Sequence, residues 1–138
     1  MKVFITGATS GFGKAIAEKF ATAQNQLWLT GRRKDRLTEL KQQLESKGAK
    51  VWISELDVRD KERVEAVVAE VAAEWTGVDI LVNNAGLALG LSSIDRGDTE
   101  DWDTMLDTNV KGLLYVTRAI SPMMGEQQSG HIINIGST

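Results

Sequence analysis

Five short runs of apolar residues alternate along the chain with segments whose apolar positions recur every three or four residues. The short runs are continuous rather than alternating, which is typical of strands buried on both faces of a sheet. Recurrence at three and four residues is typical of a helix with one buried face. We predict strands at residues 3–6, 27–30, 51–56, 80–82 and 132–135.

The helical pattern is clearest between the third and fourth predicted strands. One apolar stripe there contains Val64, Val67, Val68, Val71 and Trp75, and a weaker stripe earlier in the chain contains Leu37, Leu40 and Leu44. Strands that alternate with helices favour right-handed βαβ crossovers and a parallel sheet covered on both faces. We therefore predict one α/β domain over residues 1–138, a Rossmann-like, doubly wound parallel sheet with five strands.

Residues 98–127 predict a long helix that Asp98 or Thr99 can cap. Its apolar stripe consists of Trp102, Met105, Leu106, Leu113, Val116 and Ile120. Asn109 falls on that stripe, where its carboxamide needs hydrogen-bond partners. Pro122 is the only proline of the chain, and we expect it to kink or end the helix.

The same helix is apolar on a second side. Its further apolar residues are Val110, Leu114, Ala119 and Met123. A helix that is apolar nearly all round is covered on more than one side. The sheet covers one side, and we expect a second subunit or further chain to cover the other. The prediction is a homodimer or homotetramer.

Three spaced glycines follow the first predicted strand and precede a helical pattern. The motif is Thr6-Gly7-Ala8-Thr9-Ser10-Gly11-Phe12-Gly13. Glycine permits positive φ and lets the main chain approach a pyrophosphate closely, while the following helix directs free N–H groups at the anion. We predict a dinucleotide phosphate site in this loop, with hydroxyl donors from Thr9 and Ser10. An ordinary tight turn between strand and helix is the alternative.

Two arginines follow the second predicted strand, in Thr30-Gly31-Arg32-Arg33. Dinucleotide-binding folds usually have an acidic residue about 20 positions beyond the glycines, where it accepts hydrogen bonds from ribose. Arg32 occupies that position, and its guanidinium can form charge-assisted hydrogen bonds with a 2′-phosphate. The sequence thus favours NADP(H) over NAD(H), with Arg33 as a second contact. A solvated basic start to the next helix is the alternative.

Polar residues also follow the other predicted strands, at the carboxyl edge where open α/β sheets bind ligands. Asp57 can accept from an adenine amino group or cap the next helix, and Val58 beside it is a predicted cofactor contact. Asn83-Asn84-Ala85-Gly86 follows the fourth strand. We predict that Asn83, Ala85 and Gly86 contact the cofactor, with a simple turn as the alternative. Ser137 follows the fifth strand and by itself is typical of a turn.

Composition narrows the class of partner. With 16 basic and 19 acidic side chains the net charge is −3, so nothing favours nucleic acid or an anionic membrane. The chain has no cysteine, which excludes disulfides and fits a reducing compartment. No apolar run approaches the roughly 20 residues of a membrane span, and no cluster has metal-ligand spacing. We expect a cytoplasmic protein without a metal site.

In this order the motifs resemble those of the short-chain dehydrogenases/reductases, over the whole chain. Residues 6–13 resemble the family's cofactor loop, Asp57 its adenine contact and residues 83–86 its motif after the fourth strand. Asn109 resembles the asparagine that holds a proton-relay water, and Ser137 the serine that orients the substrate carbonyl. The more detailed likeness is to NADP-dependent 3-hydroxy acid dehydrogenases, which oxidise serine and related small hydroxy acids; it lies in residues 30–33, 80–90, 107–109 and 131–138.

The resemblance implies hydride transfer between nicotinamide and a small hydroxy acid or its carbonyl form. In the family a tyrosine takes the proton, a lysine lowers its pKa, and the serine at the position of Ser137 polarises the oxygen. The Tyr-x-x-x-Lys motif is absent from residues 1–138, since Tyr115 is followed four residues later by Ala119. We expect the chain to be the dinucleotide-binding domain of a longer enzyme, truncated before that motif. A non-catalytic dinucleotide-binding fragment or interaction module is the alternative.

Overall fold

The five predicted strands form a single parallel sheet in the computed structural model, which describes residues 1–137. The strand order is β3-β2-β1-β4-β5. The bounds are Lys2–Ile5 (β1), Gln26–Gly31 (β2), Lys50–Glu55 (β3), Ile80–Asn83 (β4) and His131–Asn134 (β5). The prediction of a Rossmann-like parallel sheet is confirmed, and each strand end lies within one residue of its predicted position. Strand order reverses at β1, between β2 and β4, the place where folds of this type bind ligands.

Helices cover both faces of the sheet. Successive residues of each strand point to opposite faces, so both faces carry side chains that pack against helices. The helices are Gly11–Phe20 (α1), Lys34–Glu45 (α2), Lys61–Glu74 (α3), Thr99–Leu106 (α4) and Leu113–Gln127 (α5). Val3 and Ile5 of β1 pack in a buried cluster with residues of α1 and α2. Phe4, between them, packs in a second cluster with residues of α3 and α5. The sheet is therefore doubly wound.

Three tryptophans fill the second cluster near the β3 edge of the sheet. Trp28 and Trp52 are partners in register on β2 and β3, and their rings stack at 5.9 Å. Trp75 meets both rings edge-on at 5.5 Å. The Trp28 indole donates to Ser54 Oγ at 3.0 Å. These contacts make the tryptophans core residues, and their fluorescence reports on the packing of β2, β3 and α3.

Residues 99–127 are helical throughout, but the helix is not regular. Asp98 caps α4 by accepting from the Glu100 N–H at 2.9 Å. A π-helical segment, Asp107–Gly112, then separates α4 from α5. A π turn contains an extra residue, so it rotates the positions that follow it relative to an α-helix. The predicted continuous apolar stripe is therefore wrong: Val116 and Ile120 are buried, whereas Leu106 and Asn109 are exposed.

Pro122 does not end the long helix, contrary to one of the expected outcomes. It lies inside α5, which continues to Gln127. Proline costs about 3 kcal/mol in a helix interior. Burial of Ile120 and Met124 on either side of Pro122 offsets that cost. The helix is ended instead by the residue after it, Gln128, which has a left-handed conformation with φ 52°.

Candidate functional site

The parallel sheet brings the predicted site segments to one edge. The glycine loop follows β1, Arg32 follows β2, Asp57 follows β3, residues 83–86 end β4, and Ser137 follows β5. All these segments lie at the carboxyl ends of their strands, because every strand pairing is parallel. The geometry of the site therefore depends on how these segments contact one another.

Glycine is favoured at the three positions of the loop for two different physical reasons. A β-carbon on Gly13 would overlap the Gly7 carbonyl oxygen and the Asn84 side chain, and one on Gly7 would lie 2.8 Å from Ala85 Cα. Close packing on the end of β4 therefore requires glycine at both positions. At Gly11, φ is +55°, and no described residue lies within 4 Å of a β-carbon built there. The loop is thus tightly packed beneath and open above Gly11.

Thr6 and Asn84 fasten the loop to the end of β4. Thr6 Oγ1 accepts from the main-chain N–H groups of Asn84 and Ala85, each at 3.0 Å. The Asn84 side chain donates to the carbonyl oxygens of Gly7 at 2.9 Å and Thr6 at 3.3 Å. Both residues lie in the predicted motifs, but neither was among the residues predicted to contact the cofactor. Their signals in the sequence are a threonine directly before the first glycine and the second of two adjacent asparagines.

The loop also contacts the end of β2. The Ala8 N–H donates to the Thr30 carbonyl at 3.0 Å. A β-carbon on Gly31 would lie 2.8 Å from Thr9 Cγ2, so glycine is needed for Thr9 to pack there. Thr9 is thus next to the residue that precedes Arg32. Ser10 and Phe12 face outward: Ser10 makes no capping bond to α1 in the described structure, and Phe12 is 74% exposed.

Arg32 and Arg33 are exposed directly after β2, and Lys34 begins α2. Three successive cations therefore lie at the N-terminus of a helix, which is the positive end of its dipole. Arg32 also lines an open cleft of about 290 Å³ with Glu55, Leu56, Asp57 and Arg63. The structure thus places Arg32 and Asp57 at one cleft, and Arg32 directly follows Gly31, against which Thr9 of the glycine loop packs.

The Asp57 carboxylate is engaged by Arg59. Arg59 Nη2 donates to Oδ2 at 2.6 Å, and the Arg59 main-chain N–H donates to Oδ1 at 3.0 Å. This side-chain hydrogen bond, aided by the charges of Arg59 and Arg32, holds the pKa of Asp57 below its ordinary value. The helix-capping alternative for Asp57 is wrong, because Asp60 caps α3 by accepting from the Arg63 N–H at 3.0 Å.

The side chains of Val58 and Asn83 face the interior rather than the cleft. Val58 is 5% exposed and belongs to the core. Asn83 is 4% exposed, and its Nδ2 donates at 2.9 Å to both Thr117 Oγ1 and Asn134 Oδ1. These bonds connect β4 with α5 and β5. The Asn83 side chain thus bridges neighbouring strands, and the cofactor contacts of Asn83 and Val58 stay predictions. Of residues 83–86, only Gly86 is exposed.

Asn109 lies in the π-helical segment and binds the chain just after β4. Its Oδ1 accepts from the Leu87 N–H at 2.9 Å, and its Nδ2 donates to the Leu87 carbonyl at 2.8 Å. The carboxamide thus pairs with Leu87 as a neighbouring peptide group would. A β-carbon on Gly86 would lie 3.0 Å from Asn109 Oδ1, so glycine gives the side chain room.

Ser137 is exposed after β5. Two residues earlier, the Ile135 N–H donates to the Asn83 carbonyl at 3.0 Å, which extends the pairing of β4 and β5 toward the site. Thr138, the last residue of the predicted motif, lies outside the described residues. Within residues 1–137, no three His, Asp or Glu side chains form a group that could hold a metal ion. The helices in this range are all too short or too polar to cross a membrane.

Comparison with known proteins gives consistent matches. The family model described as short chain dehydrogenase matches residues 1–138. The chain is 51% identical over 138 residues to the NADP-dependent 3-hydroxy acid dehydrogenase YdfG of Escherichia coli strain K12, covering all of the chain and 54% of that protein. It is 51% identical over 136 residues to sulfoacetaldehyde reductase of Chromohalobacter salexigens, covering 98% of the chain and 53% of that protein.

Solved structures agree with these sequence matches. Serine dehydrogenase from Escherichia coli is similar with a TM-score of 0.92 and 51% identity, over all of this chain and 62% of that one. The closed form of serine dehydrogenase complexed with NADP+ is similar with a TM-score of 0.93 and 51% identity, over all of this chain and 54% of that one. The chain spans about half the length of the curated relatives that it matches. Because the family model matches residues 1–138, the chain belongs to the short-chain dehydrogenase family.

Proposed function

We propose that residues 1–138 form the NADP(H)-binding part of an oxidoreductase that transfers a hydride between nicotinamide and a small hydroxy acid or its carbonyl form. The observation that supports this most strongly is the position of Arg32. Its guanidinium follows β2 at the same sheet edge as the glycine loop and lines a cleft with Asp57. The relatives named as NADP-dependent or complexed with NADP+ support the same cofactor.

The glycine loop fits a dinucleotide pyrophosphate. The space above Gly11 is open among the described residues, whereas Gly7 and Gly13 are packed from below. A diphosphate can therefore approach the main chain at Gly11 and the N-terminus of α1. Ser10, exposed and without a capping bond in the described structure, is available as a donor. When bound, the cofactor supplies hydride chemistry at its nicotinamide ring.

The cations before α2 favour a cofactor with an additional phosphate. A cation near a helix N-terminus is unfavourable by about 0.3–1 kcal/mol, so the run Arg32-Arg33-Lys34 has a cost in the free protein. A 2′-phosphate beside Arg32 and Arg33 would offset that cost and form charge-assisted hydrogen bonds. Cations that destabilise the free helix but bind an anion are typical of a functional site rather than of a surface selected for stability.

At the substrate end, we propose that Ser137 donates a hydrogen bond to the reacting oxygen of the substrate. Its exposure at the carboxyl end of β5 fits this role. Asn109 has both side-chain polar atoms bound to Leu87, so its side chain fixes the π-helical segment and leaves the main chain to hold a water. The small hydroxy acid is proposed from the names of the relatives, which include a 3-hydroxy acid dehydrogenase and a serine dehydrogenase.

We also propose that the protein assembles as a homo-oligomer through the long helix. Leu106, Val110 and Leu114 are 57%, 49% and 56% exposed. Their spacing of four residues places exposed apolar side chains along one part of the helix, the kind of surface that protein partners cover. The cytoplasmic location expected from composition stays a prediction.

The experiment that tests the proposed activity uses a chimera, in which residues 1–138 are followed by the C-terminal half of E. coli serine dehydrogenase. We expect the chimera to reduce NADP+ when supplied with serine or another small 3-hydroxy acid. The complete E. coli enzyme is the matched control. A folded chimera that binds NADP+ but turns over no hydroxy acid or carbonyl compound would exclude the oxidoreductase and favour the non-catalytic module.

A further inference from the structure

The turn between β3 and α3, residues 57–59, lies directly against the π-helical segment. A β-carbon on Gly112 would overlap Val58 Cγ2 and lie 3.0 Å from Val58 Cβ. Val58 is itself 5% exposed, so it has little free space into which to move. Interiors at this density transmit displacements rather than absorb them. The position of the turn is therefore tied to the position of the segment.

Arg59 fixes the Asp57 carboxylate within the same turn. Its guanidinium donates to Asp57 Oδ2 at 2.6 Å, and its Nε donates to Asp57 Oδ1 at 3.0 Å. The pKa of Arg59 is raised, chiefly by its hydrogen bond to Asp57 and also by the charge of Asp107. Asp107 is the first residue of the π-helical segment. The ion-pair partner of Asp107 is Lys111, at 3.4 Å, so Arg59 acts within the turn, where it holds the carboxylate of the cleft.

The π-helical segment, which packs on Val58 through Gly112, also contacts the chain just after β4. Asn109 lies between Asp107 and Gly112 and is bound through both polar atoms to Leu87. Asp57, at the other side of the turn, lines the cleft with Arg32. A continuous series of contacts therefore runs from Asp57 through Val58 and Gly112 to Asn109.

We propose that Gly112 is a positioning residue through which the π-helical segment sets the geometry of the cleft that Arg32 and Asp57 line, with Arg59 holding the Asp57 carboxylate in place. The inference rests on the proposed cofactor site at Asp57. Gly112 and Arg59 lie outside the glycine loop and are not among the predicted phosphate contacts. Coupling between two sites is reciprocal. A ligand in the cleft should therefore stabilise the π-helical segment in return.

The first test uses overpacking and its relief. The probe is 2′,5′-ADP, the adenosine half of NADP(H), titrated into the 138-residue chain. We expect Gly112→Ala to raise the Kd about 10-fold, or about 1.4 kcal/mol, because the added methyl displaces Val58 and with it the neighbouring Asp57. Val58→Ala removes the methyl groups that the new side chain meets, so the double variant recovers most of the affinity. Thermal unfolding of each variant confirms that folded proteins are compared.

The second test needs no ligand. We expect Gly112→Ala to accelerate amide hydrogen exchange in residues 57–60 and 107–112, and the double variant with Val58→Ala to restore part of the protection. Arg118→Gln, an exposed arginine of α5, is the control. Unchanged exchange in Gly112→Ala, or a Gly112→Ala variant that is not rescued by Val58→Ala, would overturn the inference. If the wild-type chain does not bind 2′,5′-ADP, the proposed function fails, and the exchange experiment still decides whether the two elements are coupled.

Discussion

Replacement of Thr6 by valine tests how the glycine loop is held. Valine has nearly the shape of threonine, so Thr6→Val creates no cavity and changes only the hydroxyl. Thr6 is 1% exposed, and its hydroxyl oxygen accepts from the N–H groups of Asn84 and Ala85 at 3.0 Å. The variant therefore leaves two main-chain donors of the site without their acceptor.

The expected cost follows from these two bonds. A buried donor left without a partner costs about 1–3 kcal/mol. Asn84 and Ala85 are only partly buried, so water can reach them in part, and the lower end of that range applies to each. We expect Thr6→Val to lower the free energy of unfolding by about 2 kcal/mol. Thr30→Val is the matched control: Thr30 is also 1% exposed, but its hydroxyl makes one long bond to the Ile5 carbonyl, at 3.4 Å.

Urea unfolding, followed by tryptophan fluorescence, measures both variants. Trp28, Trp52 and Trp75 lie in the core, so their emission reports the global transition. With a slope of about 2 kcal/mol/M, Thr6→Val is expected to shift the midpoint by about 1 M and Thr30→Val by less than about 0.3 M. The loop should also bind NADPH more weakly in Thr6→Val. Equal midpoint shifts in the two variants would refute the argument that Thr6 anchors the loop through its acceptor.

Three further predictions concern catalysis, pH and assembly. In the chimera, Ser137→Ala is expected to lower kcat about 10²-fold through loss of a donor at the reacting oxygen, and an unchanged kcat in steady-state assays would remove Ser137 from the site. The pKa of Asp57 is lower in the folded than in the unfolded chain, so the carboxylate stabilises the protein above about pH 4, and this contribution is lost as the pH falls through the folded-state pKa. Wild type should therefore lose more stability than Asp57→Asn between pH 5 and pH 2 in urea titrations, and parallel curves would contradict this. Leu114→Asp should dissociate the oligomer, which light scattering of the chimera measures; a monomeric wild type would exclude the proposed assembly.

The sheet could be predicted from the sequence because its signal is local and strong. Continuous apolar runs mark β1 to β5, and glycines at positions 7 and 13 mark where the loop approaches β4. The edge at which Arg32 and Asp57 meet follows from parallel pairing alone. These features need only the period of the pattern and the rule that carboxyl ends of parallel strands lie together.

What could not be predicted depends on contacts between distant segments. The π-helical segment adds a residue without interrupting the apolar pattern, so Asn109 was placed on the buried stripe although it is exposed. The pairing of Asp57 with Arg59 competes with helix capping, and only the structure shows that Asp60 has the capping role. Asn83 and Asn84 are adjacent and chemically identical, but one binds α5 and β5 and the other binds the glycine loop. Strand pleating determines that difference.

The central claim is that this chain binds NADP(H) with the 2′-phosphate at Arg32, and calorimetric titration with NADP+ and NAD+ tests it most directly. A charge-assisted hydrogen bond contributes about 1.5–3 kcal/mol, so the wild-type chain should bind NADP+ at least about 10-fold more tightly than NAD+. Arg32→Asp should abolish or reverse that preference, whereas Arg118→Asp, which changes the charge on exposed α5, should retain it. Equal affinities for the two cofactors in wild type, or the same ratio in wild type and Arg32→Asp, would contradict the account.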